Sequence, residues 1–185
     1  QGGGYIALEF ACIFAGLGSD VTVIYRGDNI LRGFDDDVRA HVRDEMEKNG
    51  ITILTGCTVD GIEKHDDWYT SHLSNGSSIA SDKVMFAIGR HPAVANLGLE
   101  KAGVAINPDN GGIVVNEASQ SSVPHIYAVG DVTHRFNLTP VAIREGHAFA
   151  DTVFGKRAVK VDHIDIPTAV FTQPQVGTVG VTEAQ

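Results

Sequence analysis

The chain opens on the stretch Gly2-Gly3-Gly4-Tyr5-Ile6-Ala7, which fits the spacing Gly-x-Gly-x-x-Ala. Apolar residues then recur at the spacing of a helix, namely Ile6, Phe10, Ile13, Phe14 and Leu17. Gly18 follows, where a left-handed cap residue is favoured. The next apolar run, Val21 to Tyr25, is short and rich in β-branched residues, as is typical of a buried parallel strand. The order is glycine turn, helix, strand.

This order is that of a Rossmann dinucleotide-binding unit. Gly2 would allow a tight turn, Gly4 a close approach of the pyrophosphate, and Ala7 a close contact between helix and strand. The first amides of the helix would face the phosphates. A flexible glycine-rich terminus would explain the glycines but not the elements that follow. The strand that should precede Gly2 is absent, so we expect the natural chain to begin earlier. The predicted turn residues that bind the nucleotide are Gly2, Gly3, Gly4 and Ile6.

The end of the second strand predicts which nucleotide binds. An acid there would bond the 2′-hydroxyl of NAD and repel a 2′-phosphate. This chain has Tyr25 at that place, with Arg26 next and Arg32 six residues further on. Two guanidinium groups on one loop can bind the extra phosphate, which predicts NADPH rather than NADH. Taken alone, exposed loop arginines are commonly no more than solvated charges.

Further patterns predict the remaining elements and an α/β fold: a Rossmann-like parallel sheet with helices and an antiparallel β-meander. Asp35 is a plausible N-cap for a helix that ends near Gly50. The remaining expected elements are a strand at 51–54, short antiparallel strands within 59–83, strands at 84–89, 113–115 and 126–129, a helix capped at Thr139 and running to about 154, and strands at 169–171 and 176–181. The character changes after Pro92, which predicts a domain boundary there.

Composition excludes several classes of function. The 185 residues include 14 basic and 23 acidic side chains, for a net charge of -9 without a Lys/Arg block, which argues against nucleic acid as a partner. No apolar run is long enough to cross a membrane. The two cysteines, Cys12 and Cys57, form no C-x-x-C pair and indicate reduced thiols in a reducing compartment such as the cytoplasm. The eight histidines form no ligand cluster, so no metal site is predicted.

Several motifs in this order resemble those of glutathione reductases and their disulfide-reductase relatives over essentially the whole chain. They are Gly3-Gly4-Tyr5-Ile6-Ala7-Leu8-Glu9-Phe10, Tyr25-Arg26, Leu31-Arg32-Gly33-Phe34-Asp35, Ala87-Ile88-Gly89-Arg90, Ile126-Tyr127-Ala128-Val129-Gly130-Asp131 and Leu138-Thr139-Pro140-Val141-Ala142. The resemblance implies an FAD/NAD(P)-linked reductase with NADPH and FAD as cofactors. It implies an NADPH-binding domain at 1–92 with a truncated first strand, a returning segment of the FAD domain at 93–163, and the start of a dimerisation domain at 164–185. The full-length parent would be a homodimer.

The resemblance also implies roles for single residues. Tyr5 would shield the flavin until nicotinamide displaces it, and Glu9 would pair with a lysine outside this chain, although an acid there also suits the helix dipole. Asp131 would contact FAD, or simply form an Asx turn. Thr139 would approach the flavin ring and cap its helix. Gly89 would serve the NADPH site, and Arg90 would lie where the two nucleotide sites meet.

The implied reaction passes a hydride from NADPH to FAD and then reduces an enzyme disulfide, which exchanges with a small disulfide substrate. The redox cysteine pair would precede Gln1 and the catalytic His-Glu pair would follow Gln185. No catalytic residue is therefore expected within the chain. The chain alone would be a nucleotide-binding module without turnover. His147 stands where many glutathione reductases have a substrate-binding arginine. Glutathione is favoured and trypanothione stays open; Tyr25-Arg26 disfavours a lipoamide dehydrogenase, and a mercuric reductase relative is a further alternative.

Overall fold

The computed structural model describes residues 1–185, which divide into two compact units. The first unit joins Gln1–Ile88 to Ile164–Gln185, and the second is Gly89–His163. The helices and strands are α1 (Tyr5–Gly16), β1 (Thr22–Tyr25), α2 (Asp36–Lys48), β2 (Thr52–Thr55), β3 (Val59–Lys64), β4 (Tyr69–Leu73), β5 (Ser78–Ser81), α3 (Leu99–Ala102), a 3-10 helix (Gly130–Thr133), α4 (Thr139–Val153), β6 (Thr168–Val170) and β7 (Val176–Thr178). None of the helices combines the length and the apolar character needed to cross a membrane.

The parallel pair β1–β2 confirms the predicted α/β class. Thr22 lies opposite Thr52 and Tyr25 opposite Thr55. Helix α2 begins as predicted, because the Asp35 side chain accepts a hydrogen bond from the Asp37 amide at 3.2 Å. Two of its side chains, Val42 and Met46, are fully buried in the core of this unit. The glycine turn, α1, β1, α2 and β2 thus follow one another as the pattern predicts.

Helix α1 turns a different face to the core than its large apolar residues indicate. Leu8 and Ala11 are buried at 0% and 4% exposure. Four of the regularly spaced apolar residues are instead exposed, with values from 39% to 79%: Phe10, Ile13, Phe14 and Leu17. Because α1 is apolar on nearly all sides, its periodicity does not choose a face, and the side with a small alanine packs closest to the core.

The antiparallel sheet β3–β4–β5 confirms the predicted meander. A bulge interrupts its pairing between Val59 and Gly61. Leu73 of this sheet is buried with Ile24 of β1 and with Cys57, which joins the meander to the parallel pair in one unit. The hairpin β6–β7 completes the first unit, and its Val170 is fully buried in the same core as Leu8.

Three expected strands and one expected cap are wrong. Residues 84–89 form no strand, because their backbone bonds reach only one partner residue, with Gln1 donating to Met85 and accepting from Ala87. Residues 113–115 and 126–129 form isolated bridges. Helix α4 has Leu138 as its N-cap without a side-chain bond, so Thr139 is the first helical residue and does not cap.

Candidate functional site

The turn before α1 requires glycine at Gly2. Its amide donates to the carbonyl oxygen of Ile24 at 2.9 Å, which ties the turn to β1. Its φ of +144° lies where L side chains are strained, and a Cβ atom there would collide with the carbonyl oxygen of Ala87. The same Cβ would lie 2.9 Å from that of Ala7, so the small residue at this position of the motif is needed as well.

Gly4 lies on the solvent-exposed side of the same turn. It is exposed, and a Cβ atom built on it meets no atom within 4 Å. As the N-cap of α1 it makes no side-chain bond, and the first turn contains no acid. The first helical amides lack intrahelical partners, as at the start of any helix, and no acid in the first turn of α1 competes for them. A group with the charge of a pyrophosphate fits this helix end.

Gly3 is required by a neighbour that the motif does not include. A Cβ atom on Gly3 would lie 2.5 Å from the ring of Tyr25, and one on Gly27 would lie 2.7 Å from it. The Tyr25 ring thus fills the space between the glycine turn and the loop after β1. The sequence signal for this contact was an aromatic residue at the strand end together with glycines at both 3 and 27.

The loop from Arg26 to Phe34 is held against the glycine turn. The Leu31 amide donates to the Gly3 carbonyl oxygen at 2.7 Å, and Ile30 and Leu31 are buried at 0% and 1% exposure. Arg39 of α2 anchors the loop from the other side, with Nε donating to the Ile30 oxygen at 2.8 Å and Nη2 to the Asn29 oxygen at 3.0 Å. The sequence pattern did not indicate this role of Arg39.

Arg26 and Arg32 are both exposed on this anchored loop. No ion pair within the chain involves either guanidinium group. The backbone around them is fixed while their charges stay available to a ligand, which is the arrangement that binding a phosphate requires.

The other predicted residues of the first unit lie on α1. Tyr5 and Ile6 are half-buried, and Tyr5 packs against the core. Glu9 is turned toward the β6–β7 segment, where its Oε1 accepts a hydrogen bond from the Phe171 amide at 2.9 Å. This contact spans 162 residues of sequence and was not predicted. The predicted pairing of Glu9 with a lysine involves residues outside this chain.

The second unit brings two predicted residues together. Arg90 Nη1 lies 3.3 Å from Asp131 Oδ2, and both side chains are about half exposed. Gly89 and Thr139 are exposed, as is His147 on α4. The Asp131 carboxylate follows directly on Gly130, whose φ is +68°.

A buried carboxylate, Glu145, was missed by the sequence patterns. It is 1% exposed and accepts hydrogen bonds from the Gly130 amide at 2.7 Å, Arg135 Nη2 at 2.8 Å and His163 Nε2 at 2.8 Å. The signal was present, since Glu145 shares the inward face of α4 with Val141 and Ala148 at intervals of four and three residues. An acid on the apolar face of an amphipathic helix indicates a buried polar network.

One acidic cluster has a structural explanation. Carboxylate oxygens of Asp35, Asp37 and Glu183 lie within 4.8 Å of one another. Asp35 caps α2 and also accepts a hydrogen bond from the Glu183 amide at 2.9 Å. The cluster therefore forms where the start of α2 meets the segment that contains Glu183.

The two cysteines, Cys12 and Cys57, are free thiols.

The chain belongs to the family described as pyridine nucleotide-disulphide oxidoreductase, whose model matches residues 1–146. A solved relative shares the fold, namely the HOCl-induced flavoprotein disulfide reductase RclA from Escherichia coli, with a TM-score of 0.92 and 32% identity over 100% of this chain and 42% of that one. Membership of this family implies the use of a pyridine nucleotide and a flavin.

Relatives in sequence are disulfide reductases. The glutathione reductase of Burkholderia cepacia is 52% identical over 184 residues, which cover 100% of this chain and 41% of that protein. The trypanothione reductase of Trypanosoma congolense is 44% identical over 189 residues, covering 100% of this chain and 38% of that protein. The chain thus spans about two fifths of the length of these relatives.

Proposed function

We propose that this chain is the NADPH-binding part of a flavoprotein disulfide reductase that reduces glutathione disulfide, using FAD and a redox disulfide outside the chain. The observation that carries the NADPH assignment is the anchoring of the arginine loop to the glycine turn, through the bond from the Leu31 amide to Gly3 and the packing of the Tyr25 ring. One site would thereby join an open helix start for the pyrophosphate to two cations for the 2′-phosphate.

Within this proposal, residues 1–92 form the NADPH-binding domain, 93–163 the returning segment of the FAD domain, and 164–185 the start of the dimerisation domain of a homodimer. A bound flavin would supply the redox chemistry that links NADPH to the disulfide. Asp131, Arg90 and Thr139 would hold the flavin. The exposed Asp131 carboxylate supports this role, because it can accept hydrogen bonds from ligand hydroxyl groups.

The remaining assignments concern the nicotinamide end of NADPH. Tyr5 and Glu9 lie on α1, four residues apart and on one face. Gly89 has a φ of +137° and is exposed, which supports a place where the backbone meets a ligand. Tyr5 would shield the flavin ring and Glu9 would orient the nicotinamide.

The NADPH assignment is tested by calorimetry on the complete protein and on its Arg26→Ala/Arg32→Ala variant. The variant should bind NADPH about ten- to hundredfold more weakly, because hydrogen bonds to a charged phosphate are lost, while its affinity for NADH stays unchanged. Arg43→Ala is the control, since Arg43 pairs only with Glu47 on an exposed face of α2. Equal affinity of the unaltered protein for the two nucleotides would refute the phosphate assignment.

The substrate is tested separately, by comparing turnover of glutathione disulfide and trypanothione disulfide by the complete protein. His147 is exposed on α4 and offers an imidazole in place of the guanidinium group of an arginine, which keeps trypanothione as the second candidate. Turnover of glutathione disulfide is expected to be the faster. Faster turnover of trypanothione would replace the proposed substrate and leave the NADPH assignment untouched.

A further inference from the structure

The buried carboxylate of Glu145 has no role in the proposed function so far. It is 1% exposed on the inward face of α4. Removing a carboxylate from water is costly unless donors replace the water molecules that it loses. The groups that bind Glu145 therefore indicate what this residue does.

Three donors surround the carboxylate. Arg135 Nη2 and His163 Nε2 both donate to Oε1 at 2.8 Å, and the Gly130 amide donates to Oε2 at 2.7 Å. Arg135 supplies the opposite charge and is itself held, because Nη2 also donates to Ser119 Oγ at 3.0 Å. The His163 ring stacks on Phe136 with centroids 5.4 Å apart. Of the three bonds, only the one from the Gly130 amide involves a backbone group next to a predicted ligand-binding residue, Asp131.

Gly130 is fixed on three sides. Its amide is bonded to Glu145, its carbonyl oxygen accepts from Thr133 Oγ1 at 2.8 Å, and a Cβ atom on it would lie 2.8 Å from Ala142 Cβ on α4. Its φ of +68° is a conformation that glycine adopts readily. Glu145 of α4 thus holds the peptide that enters Gly130, and Thr133 holds the carbonyl group of the peptide that leads into Asp131.

We propose that Glu145 is a positioning residue for the flavin site, and that through Gly130 it sets the direction in which Asp131 presents its carboxylate. This inference rests on the proposed function, since it takes Asp131 as a flavin-binding residue. Arg135 and His163 keep Glu145 in place, and they come from the segment after the 3-10 helix and from the end of the unit. Binding groups are effective when the residues behind them are fixed in this way.

The test uses Glu145→Gln in the complete protein, with the FAD dissociation constant measured by titration after flavin removal. The glutamine is nearly isosteric, but its amide NH₂ group would replace one carboxylate oxygen and face either the Gly130 amide or the donors of Arg135 and His163. We expect FAD to bind about tenfold more weakly, as the loss of a hydrogen bond to a charged group predicts. Combined with Asp131→Asn, the two effects should be less than additive, because Glu145 acts through Asp131. Val104→Ala controls for lost stability, because it creates a cavity in the core of the same unit. This variant should leave the FAD affinity unchanged.

A second measurement does not depend on flavin. In the flavin-free protein, Glu145→Gln should speed hydrogen exchange at the Gly130 amide, and the milder Arg135→Lys should do so to a lesser extent if the first variant folds poorly. Wild-type FAD affinity in Glu145→Gln, additivity with Asp131→Asn, or an equal loss in Val104→Ala would overturn the positioning role. A different result would refute the flavin assignment of Asp131: normal FAD binding by Asp131→Asn, together with faster exchange at Gly130 in Glu145→Gln. The positioning role for the flavin site would then be refuted as well.

Discussion

The ring of Tyr25 lies so close to Gly3 that a Cβ atom on Gly3 would be 2.5 Å from its carbon atoms. This contact joins the end of β1 to the glycine turn, and with it the loop that carries Arg26 and Arg32. The dinucleotide motif leaves position 3 variable. In this chain Tyr25, which stands in place of an acid at the end of β1, restricts that position to glycine.

Substituting Gly3→Ala should destabilise the chain by about 1–3 kcal/mol, because the added methyl group overpacks the turn. In a double-mutant cycle with Tyr25→Ala, the combined loss measured by urea unfolding should be smaller than the sum. Gly16→Ala is the matched control on α1, where a Cβ atom meets nothing within 4 Å and alanine favours the helix. Additive losses would show that the Tyr25 ring is not what excludes a side chain at Gly3.

Arg39→Lys should weaken NADPH binding without touching the ligand. Lysine has one donor nitrogen where arginine uses Nε and Nη2 in a fixed geometry, so the anchoring of the loop weakens and the chain loses about 1–2 kcal/mol of stability. Arg43→Lys, one turn further along α2, should change neither quantity. NADPH affinity by fluorescence titration is the measurement, and equal effects of the two substitutions would contradict the anchoring role.

Two leucines on α1 distinguish its core face from its outer face. Leu8→Ala should cost about 2–5 kcal/mol of unfolding free energy, since Leu8 is fully buried. Leu17→Ala should cost less than about 0.5 kcal/mol in the 185-residue chain, where Leu17 is 79% exposed. Chemical denaturation of both variants gives the comparison, and a larger loss for Leu17 would contradict the packing of α1 through its Leu8 side.

Cys12 should react slowly and make the chain sensitive to alkali. Burial raises the pKa of the Cys12 thiol, and the nearby charge of Glu9 raises it further, although a backbone hydrogen bond from Gln173 acts in the opposite direction. In a Cys57→Ser background at pH 8, alkylation followed by mass spectrometry should be slower in the folded chain than in urea.

The sign of the stability effect follows from the same pKa. Below the unfolded pKa of about 8.5, the thiol is protonated in both states and stability does not depend on it. As pH rises above that value, the unfolded thiol ionises first and the folded state loses stability until the raised folded pKa is reached. Cys12→Ser should remove this alkaline loss, and an unchanged alkaline loss would contradict the assignment.

The elements around the glycine turn were predictable because each has a local cause: Asp35 caps α2, Val42 and Met46 share one face, and Gly50 ends the helix with a φ of +84°. The same holds for the meander, whose turns are local. The face of α1 was not predictable, because nearly every side of it is apolar. Strands at 84–89, 113–115 and 126–129 failed because pairing requires partners that local patterns do not reveal.

For the candidate site, the residues of the glycine turn and the two arginines were predictable from motif spacing, and their roles in binding remain predictions. The residues that hold these site residues in place were not predictable. Arg39, Tyr25 and Glu145 act through contacts that only the folded chain brings together. Glu145 meets Gly130 across 15 residues and His163 across 18.

The first unit is assembled from the two ends of the chain, and this has a consequence for biosynthesis. Val170 fills the core beside Leu8, and Phe171 bonds to Glu9 across 162 residues. At roughly 5–20 residues per second, a ribosome needs about ten to thirty seconds to make the intervening segment. During that interval α1 is already synthesised but its core lacks Val170, so the nascent chain exposes apolar surface that chaperones can bind. Completion of this unit requires Val170, and we expect the meeting of distant segments to be slower than the formation of the helices.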